Sequence, residues 1–309
     1  MTAPIRVVLV GFGKIARDQH VPAIAADARF ALAGVVDPAA VSETLPHTAD
    51  LKEFLADGPP VDAVAICTPP TLRSALARQA IAAGKHVLLE KPPGVTSAEV
   101  EALIPLAKAA GVSLMTAWHS RYAAAVAPAR EWLAARRVTG GRIVWREDYR
   151  VWHPGQDWIW THAGMGVFDP GINALSILTH LLPGPWTVQA ATLETPSDAE
   201  SPVRVDLDLR DGDGLQVQAA FDFLHPGPPH WDLSLQTDAG ELTLSRGGAD
   251  LLLPGAPARE GTDREYPNLY SEFADLIRAG GSAVDVTPLE IVEQAVRRGR
   301  RVTAPPLPG

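Results

Sequence analysis

Cysteine occurs once in the 309 residues, as Cys67. No internal disulfide can form, which suits a reducing compartment and predicts a cytoplasmic protein. Positive charge is also scarce. The formal net charge is −9, which argues against a nucleic-acid partner, whose phosphates require a basic surface. No apolar run approaches the roughly 20 residues of a membrane helix, so no membrane partner is expected. The opening residues, "MTAPIRVVLVGFG", lack the basic-then-apolar design of a signal peptide and enter a strand at once. Internal repeats are absent, and Pro-rich pieces such as "HPGPPH" read as loops rather than linkers. What is present is an ordinary globular composition, 46% hydrophobic and 20% charged. The length is large for one hydrophobic core, so two domains are expected.

The first 120 residues alternate between two kinds of segment. "IRVVLV", "FALAGVV", "VDAVAIC", "HVLLE" and "VSLMT" are short and almost wholly apolar, while "LRSALARQAIAA" and "SAEVEALIPLAKAA" carry helical spacing. Apolar strands joined by helices predict a parallel sheet covered on both faces, the α/β class. The character changes after about residue 122. A helical stretch (123–137) leads to "GRIVWREDYR", a tryptophan-rich loop, and a helix beginning around Asp169. "VRVDLDL", "LQVQAAFDF", "WDLSLQT" and "GELTLS" then alternate apolar and polar residues between turns. Such runs predict a large, mostly antiparallel open sheet in an α+β domain. Helical segments near 267–279 and 288–301 follow, and the tail "TAPPLPG" reads as loose. The expected domains are therefore 1–121 and 122–309.

"VVLVGFGKIARDQH" places Gly11-Phe12-Gly13-Lys14-Ile15-Ala16 directly after the first strand. This is the G-x-G-x-x-A form of the dinucleotide fingerprint. Gly11 permits the tight turn, Gly13 lets a pyrophosphate approach the backbone, and Ala16 allows close helix–strand packing. Lys14 and Ile15, in the same turn, are further cofactor-binding candidates. The motif alone is weak, since Gly-rich turns also serve as plain connections, but here an acid ends the second strand. That acid, Asp37, lies 21 residues beyond Ala16. A carboxylate there accepts hydrogen bonds from an adenosine ribose and repels a 2′-phosphate, which favours NAD over NADP. The competing reading is that Asp37 merely opens a turn with Pro38. The third strand ends in "CTPPT", so Thr68 and Pro69 are candidates for the nicotinamide side. Cys67 reads as a buried small residue rather than a nucleophile.

"GKHVLLEKPPG" puts Glu90 and Lys91 at the carboxyl end of another strand, where both are candidates for cofactor binding, with two prolines following and a cis bond possible there. Lys91 is one of five lysines. Its ammonium could lower the pKa of a substrate hydroxyl or stabilise negative charge developing on it; the alternative is a solvated lysine at a strand end. Further on, "GVFDPGINALSIL" carries Asp169 and, four residues later, Asn173. Asp before Pro reads locally as a helix N-cap followed by a proline at the first helical position.

Taken in order, "VGFGKIARDQHVPAI", the acid ending the second strand, "GKHVLLEKP" and "GVFDPGIN" resemble the Gfo/Idh/MocA oxidoreductase family. The resemblance implies a Rossmann domain followed by an open mixed-sheet domain, and homo-oligomers (dimers or tetramers) assembled on that sheet. Within the family, "KIARDQHVPAI", "EKPPG", "WHSR", "VWHPGQDWIW" and "GVFDPGINALSI" look most like the aldose 1-dehydrogenases that act on L-arabinose and D-galactose. That implies an NAD(P)-dependent enzyme oxidising the anomeric carbon of a pyranose to a lactone. The general family pattern is Asp-x-Gly-x-His, with lysine, aspartate and histidine at the reacting carbon. Here Lys91 and Asp169 match, but Asn173 stands in the histidine position. Asparagine cannot titrate and only donates or accepts hydrogen bonds. The departure removes an imidazole base and fits anomeric oxidation, because an anomeric hydroxyl is more acidic than an ordinary alcohol. Whether Lys91 or Asp169 is the formal base stays open.

"WHSR" places His119 just past the last strand of the first domain, and "WREDYRVWHPGQDWIW" is rich in aromatic and polar side chains. Tryptophan faces can cover the C–H faces of a pyranose while carboxylates and imidazoles bind its hydroxyls. His119, Glu147, Trp152, His153 and Trp231 are the sugar-contact candidates, together with Asp169 and Asn173. Core packing of the tryptophans and an ion pair at Glu147 compete with this reading. No metal ligand set is assigned. Two other function classes remain open: a non-catalytic regulator that binds NAD and a sugar, and a family oxidoreductase acting on another sugar or polyol. The presence of both Lys91 and Asp169 counts against the first, and the missing motif histidine against the second.

Overall fold

The computed structural model describes residues 3–39 and 44–308, and its contacts divide the chain into two compact units. The first unit runs through His119 and also holds Tyr266–Val286; the second holds Ser120–Glu265 and the chain from Thr287 onward. A single cut after residue 121 therefore misses one feature, the return of 266–286 to the first unit. The physical reason is apolar. The helix Glu265–Ala279 buries Tyr266, Leu269, Tyr270 and Phe273, and Tyr270 and Phe273 pack on the ring of Phe30. The chain after that helix is then tied to a strand by Ala283 N donating to Leu114 O at 2.9 Å.

The first unit is built on a six-stranded parallel sheet of β1 (Ile5–Val10), β2 (Phe30–Val36), β3 (His47–Thr48), β4 (Ala63–Ile66), β5 (His86–Glu90) and β6 (Leu114–Ala117). Their spatial order is β3-β2-β1-β4-β5-β6, the doubly wound arrangement in which ligands meet the carboxyl ends of the strands. Five of the strands are the apolar runs of the sequence. The sixth, β3, is two residues long and polar, too short to show any pattern. The strands are apolar throughout because both faces are covered: Val8, Val10, Val64, Ile66, Val87 and Leu89 all lie in one buried cluster with Leu51, Phe54 and Leu103. Each such side chain contributes roughly 1.5–3 kcal/mol by leaving water.

The second unit carries β7 (Val138–Arg146), β8 (Trp186–Pro196), β9 (Arg204–Asp211), β10 (Gln216–Asp222), β11 (His230–Thr237), β12 (Gly240–Ser245), β13 (Asp250–Leu252) and β14 (Arg300–Ala304). They form one sheet in the order β13-β12-β11-β7-β10-β9-β8-β14. Neighbours are antiparallel except β7 with β10 and β8 with β14, so the sheet is mixed and mostly antiparallel. In β9 and β10 buried and solvent-facing residues alternate, and the helices Phe168–Leu181 and Thr287–Arg298 lie with the buried face.

Two elements depart from the sequence reading. β8 escapes a periodicity search because its alternation is broken by a bulge between Val188 and Ala190. The C-terminal segment is not loose. The last helix stops at Arg298, and Arg300–Ala304 pairs with β8. Gly299 makes the change of direction possible, since a Cβ there would fall 2.1 Å from the Leu193 side chain and 2.5 Å from Ala295 O. Beyond it, Leu307 N donates to Asp198 Oδ1 at 3.0 Å and Tyr149 Oη to Pro308 O at 2.8 Å; Gly309 lies outside the described residues. No described helix is long and apolar enough to cross a membrane.

Candidate active site

The turn after β1 is made by Gly11, whose φ of +86° suits glycine. A Cβ at Gly11 would lie 2.8 Å from Thr68 N and 2.9 Å from Cys67 C, so only glycine lets this turn pass the end of β4. Gly13 is different: a Cβ there meets no protein atom within 4 Å, leaving open space against exposed backbone. Arg17 N donates to Gly13 O at 3.2 Å, and the chain turns through a π-helical segment (Ala16–His20) into the helix Val21–Ala26. Ala16 is fully buried, as close packing of this helix requires.

Asp37 holds the fingerprint turn from the end of β2. Its Oδ2 accepts from Phe12 N at 2.7 Å and its Oδ1 from Ala39 N at 2.8 Å. Both readings of Asp37 are therefore compatible, because a carboxylate offers about four acceptor positions and can serve a turn and a ribose together. Thr68 Oγ1 is buried without a hydrogen-bond partner among the described residues, and Pro69 is exposed beside it. An orphaned hydroxyl and an open glycine backbone at the carboxyl edge of a parallel sheet fit a dinucleotide. Lys14 pairs with Asp18 on the exposed face of the turn, and Ile15 is half-buried.

Lys91 is half-buried and is followed by a cis bond to Pro92. The sequence reading puts Glu90 beside the cofactor; the structure turns its side chain into the interior, 2% exposed. Its Oε1 accepts from Tyr266 Oη at 2.6 Å and from His20 Nε2 at 3.1 Å, and its Oε2 from Lys91 N at 2.7 Å. His20 Nδ1 lies 2.8 Å from Tyr270 Oη. Burial opposes charge on Glu90, but the hydrogen bond and charge of His20, with His119 and Arg73 nearby, bring its carboxyl down to about 2. Burial likewise opposes charge on His20, yet Cys67, Tyr270 and Glu90 raise its pKa well above the ordinary value. The two form a buried ion pair. Burial also pushes the Tyr270 phenol up to about 12.

Arg73, 5% exposed, joins the same strand ends. Its Nε donates to Thr68 O at 2.8 Å and its Nη1 to Glu90 O at 2.7 Å and to Pro92 O. His119 stacks on Tyr266 with centroids 5.2 Å apart and planes at 19°. His20, Arg73, Tyr266 and Tyr270 are absent from the sequence-derived site. His20 looks like any residue of the first helix, and the two tyrosines arrive from far along the chain, Tyr266 176 positions from Glu90 and Tyr270 250 positions from His20.

Asp169 and Asn173 stand on the first turns of the helix Phe168–Leu181. Asp169 is not the N-cap. The cap is Val167, without a side-chain bond, because the left-handed residues Met165 and Gly166 (φ 69° and 55°) start the turn earlier. Asp169 N donates to Gly166 O at 2.9 Å, which already places Asp169 inside the helix. Its charge suits this first turn, and it is 6% exposed. Gly171 lets the helix close on β10, since a Cβ would sit 2.8 Å from the Phe221 ring. Spacing of four puts Asn173 on the side of Asp169. Asn173 Oδ1 is buried with no hydrogen-bond partner among the described residues, a state that costs about 1–3 kcal/mol unless a ligand donates to it.

The remaining candidates of the second unit gather around Glu147, 3% exposed. Its Oε2 accepts from Trp231 Nε1 at 2.7 Å, and its Oε1 lies 3.2 Å from His153 Nε2. Trp152, 43% exposed, meets Trp231 edge to face at 5.0 Å. Trp145, missed by the sequence reading because it looks like an ordinary strand residue, stacks behind Trp231 at 6.1 Å.

Comparison with known proteins agrees with this architecture. Residues 5–118 match the Gfo/Idh/MocA model, described as an oxidoreductase family with an NAD-binding Rossmann fold. The chain is 46% identical over 300 residues to galactose 1-dehydrogenase of Pseudomonas fluorescens, covering 97% of each chain. It superposes on the crystal structure of D-galactose-1-dehydrogenase from Rhizobium etli with a TM-score of 0.92 at 45% identity, covering 100% of this chain and 99% of that one. A 3-ketoreductase from Actinomadura kijaniata, crystallised with NADP and TDP-benzene, shares the fold at a TM-score of 0.83 and 18% identity, over 98% of this chain and 100% of that one. The glycine turn, the strand-end lysine and near full-length similarity together make the chain a member of the Gfo/Idh/MocA oxidoreductase family, with an NAD-binding Rossmann domain.

Proposed function

We propose that this oxidoreductase is an aldose 1-dehydrogenase, taking D-galactose and L-arabinose as pyranoses and oxidising C1 to the lactone. The observation that carries the reading is the start of the 168–181 helix. Asp169 shares a side with Asn173, whose buried Oδ1 lacks a donor among the described residues, and a sugar hydroxyl supplies one. Near full-length similarity to two galactose 1-dehydrogenases supports the choice of sugar.

The dinucleotide, held by the Gly11–Gly13 backbone with Asp37 and Thr68, supplies the hydride acceptor. Asp169 takes the proton of the anomeric hydroxyl while the C1–H bond breaks with its electron pair and the carbonyl forms. Lys91 stabilises negative charge on that oxygen. Asn173 orients the sugar without a titrating proton. The exposed face of Trp152 covers a C–H face of the ring, and His119, Glu147, His153 and Trp231 complete the contacts. D-Galactose and L-arabinose share C2, C3 and C4 stereochemistry and differ at C5. Packing against one extra group discriminates by only about 1–3 kcal/mol, so both sugars are substrates.

The test is D-galactose deuterated at C1. A primary isotope effect, with deuterium in the reduced cofactor and lactone as product, supports the reading; oxidation at another carbon overturns it. Assembly as a dimer or tetramer belongs to the same proposal. Arg142 of β7 and Asp206 and Asp208 of β9 are exposed on the outward side of the sheet, opposite charges that a second copy can meet. Sedimentation as a monomer at micromolar concentration would contradict it.

A further inference from the structure

The geometry points to Glu90 and Tyr266 as positioning residues that fix Lys91, rather than as contacts of cofactor or sugar. This rests on the reading of Lys91 as a catalytic group. β5 ends its pairing at Glu90, so the Lys91 N–H has left the sheet ladder and would need another acceptor. The Glu90 carboxylate provides it, from the same residue that precedes the lysine. The carbonyl of that same Glu90–Lys91 peptide accepts from Arg73, and so does the carbonyl of Pro92. The peptide that precedes the Lys91 Cα is thereby held at both its N–H and its carbonyl, and the next carbonyl but one, that of Pro92, is held by the same guanidinium.

Glu90 is itself fixed from behind. Tyr266 Oη and His20 Nε2 converge on its Oε1, and Tyr270 lies beyond His20. Glu90, His20, Arg73, Tyr266 and Tyr270 are all no more than 5% exposed. A buried group reaches a bound molecule only through a neighbour, and the site candidates that Glu90 and Tyr266 touch are Lys91 and His119. Tyr266 serves both, with its hydroxyl on Glu90 and its ring face on His119. The cluster contributes orientation, and orientation is where a small displacement has a large kinetic effect: about 1 Å can cost on the order of 100-fold.

The experiment compares wild type with Tyr266→Phe and Glu90→Gln. Tyr266→Phe keeps the ring against His119 and removes only the hydroxyl. With D-galactose and NAD, both variants should lower kcat by about 10- to 100-fold, with the KM for galactose and the Kd for NAD each within about twofold. Amide hydrogen exchange should show Lys91 protected in wild type and released in both variants, while Leu88 and Leu89 stay protected. NAD affinity falling in step with kcat would overturn the inference, because Glu90 would then be a cofactor ligand. A lowered Tm with unchanged kcat would overturn it as well. Should wild type turn over no aldose, the functional reading fails by itself; Lys91 protection and its release still decide the positioning claim, and an unprotected Lys91 amide in wild type ends it.

Discussion

The two sets of candidate residues differ in how fully their hydrogen bonds are satisfied. Around Lys91, in the first unit, Glu90 has three donors and Arg73 has three carbonyls, all inside the protein. In the second unit, Asn173 Oδ1, on the helix that carries Asp169, has no donor among the described residues, and Trp152 presents an open face. The contrast divides the labour. A saturated network holds a group still, whereas an unsatisfied acceptor waits for a molecule to arrive. Within the first unit the cofactor turn joins both habits, with Asp37 fastened to backbone and Thr68 Oγ1 unmatched.

Removing the proposed chemical groups should have the largest effect on each side. Lys91→Ala and Asp169→Asn should each lower kcat by about 10²- to 10⁴-fold, and fluorescence titration should find NAD affinity intact in Asp169→Asn. Stability should separate the two buried carboxylates. Glu90→Ala leaves His20 buried without its counter-ion and should cost about 3 kcal/mol in denaturant unfolding. Glu147→Gln keeps an acceptor for Trp231 and should cost less than half of that.

The pH dependence of unfolding sharpens the same contrast. Glu90 is lowered from 4.5 to about 2, so its contribution is present above 4.5 and lost as the pH falls toward 2. His20 is raised above 6.5, so its contribution is full below 6.5 and lost as the pH rises through the higher folded value. The pair should therefore stabilise most between pH 4.5 and 6.5, and Glu90→Ala should flatten the profile on both sides. A smaller and opposite effect is expected at Asn173. Asn173→Leu removes an unmatched buried acceptor and should raise stability by about 1 kcal/mol, while raising the sugar KM about tenfold. Trp152→Ala, at an exposed position, should change stability by no more than about 0.5 kcal/mol and raise the sugar KM a few-fold.

Much of this was legible in the sequence where the pattern is local. Apolar strands, the glycine fingerprint and the Glu-Lys-Pro strand end each occupy adjacent residues, and the doubly wound sheet follows from them. What escaped is nonlocal or irregular. Tyr266 and Tyr270 join the site through a helix that returns from late in the chain, β8 carries a bulge, and β14 follows a glycine that makes no visible signal. The misassigned cap shows the same limit: Asp before Pro predicts a helix start, but the left-handed pair Met165 and Gly166 decides where the helix begins.

The central claim is most directly tested by initial rates with L-arabinose, D-galactose, D-xylose and D-glucose, each with NAD and with NADP. The account predicts reduced cofactor from D-galactose and L-arabinose, with NAD preferred over NADP because a carboxylate at Asp37 would repel a 2′-phosphate. Turnover of none of the four sugars with either cofactor would contradict it.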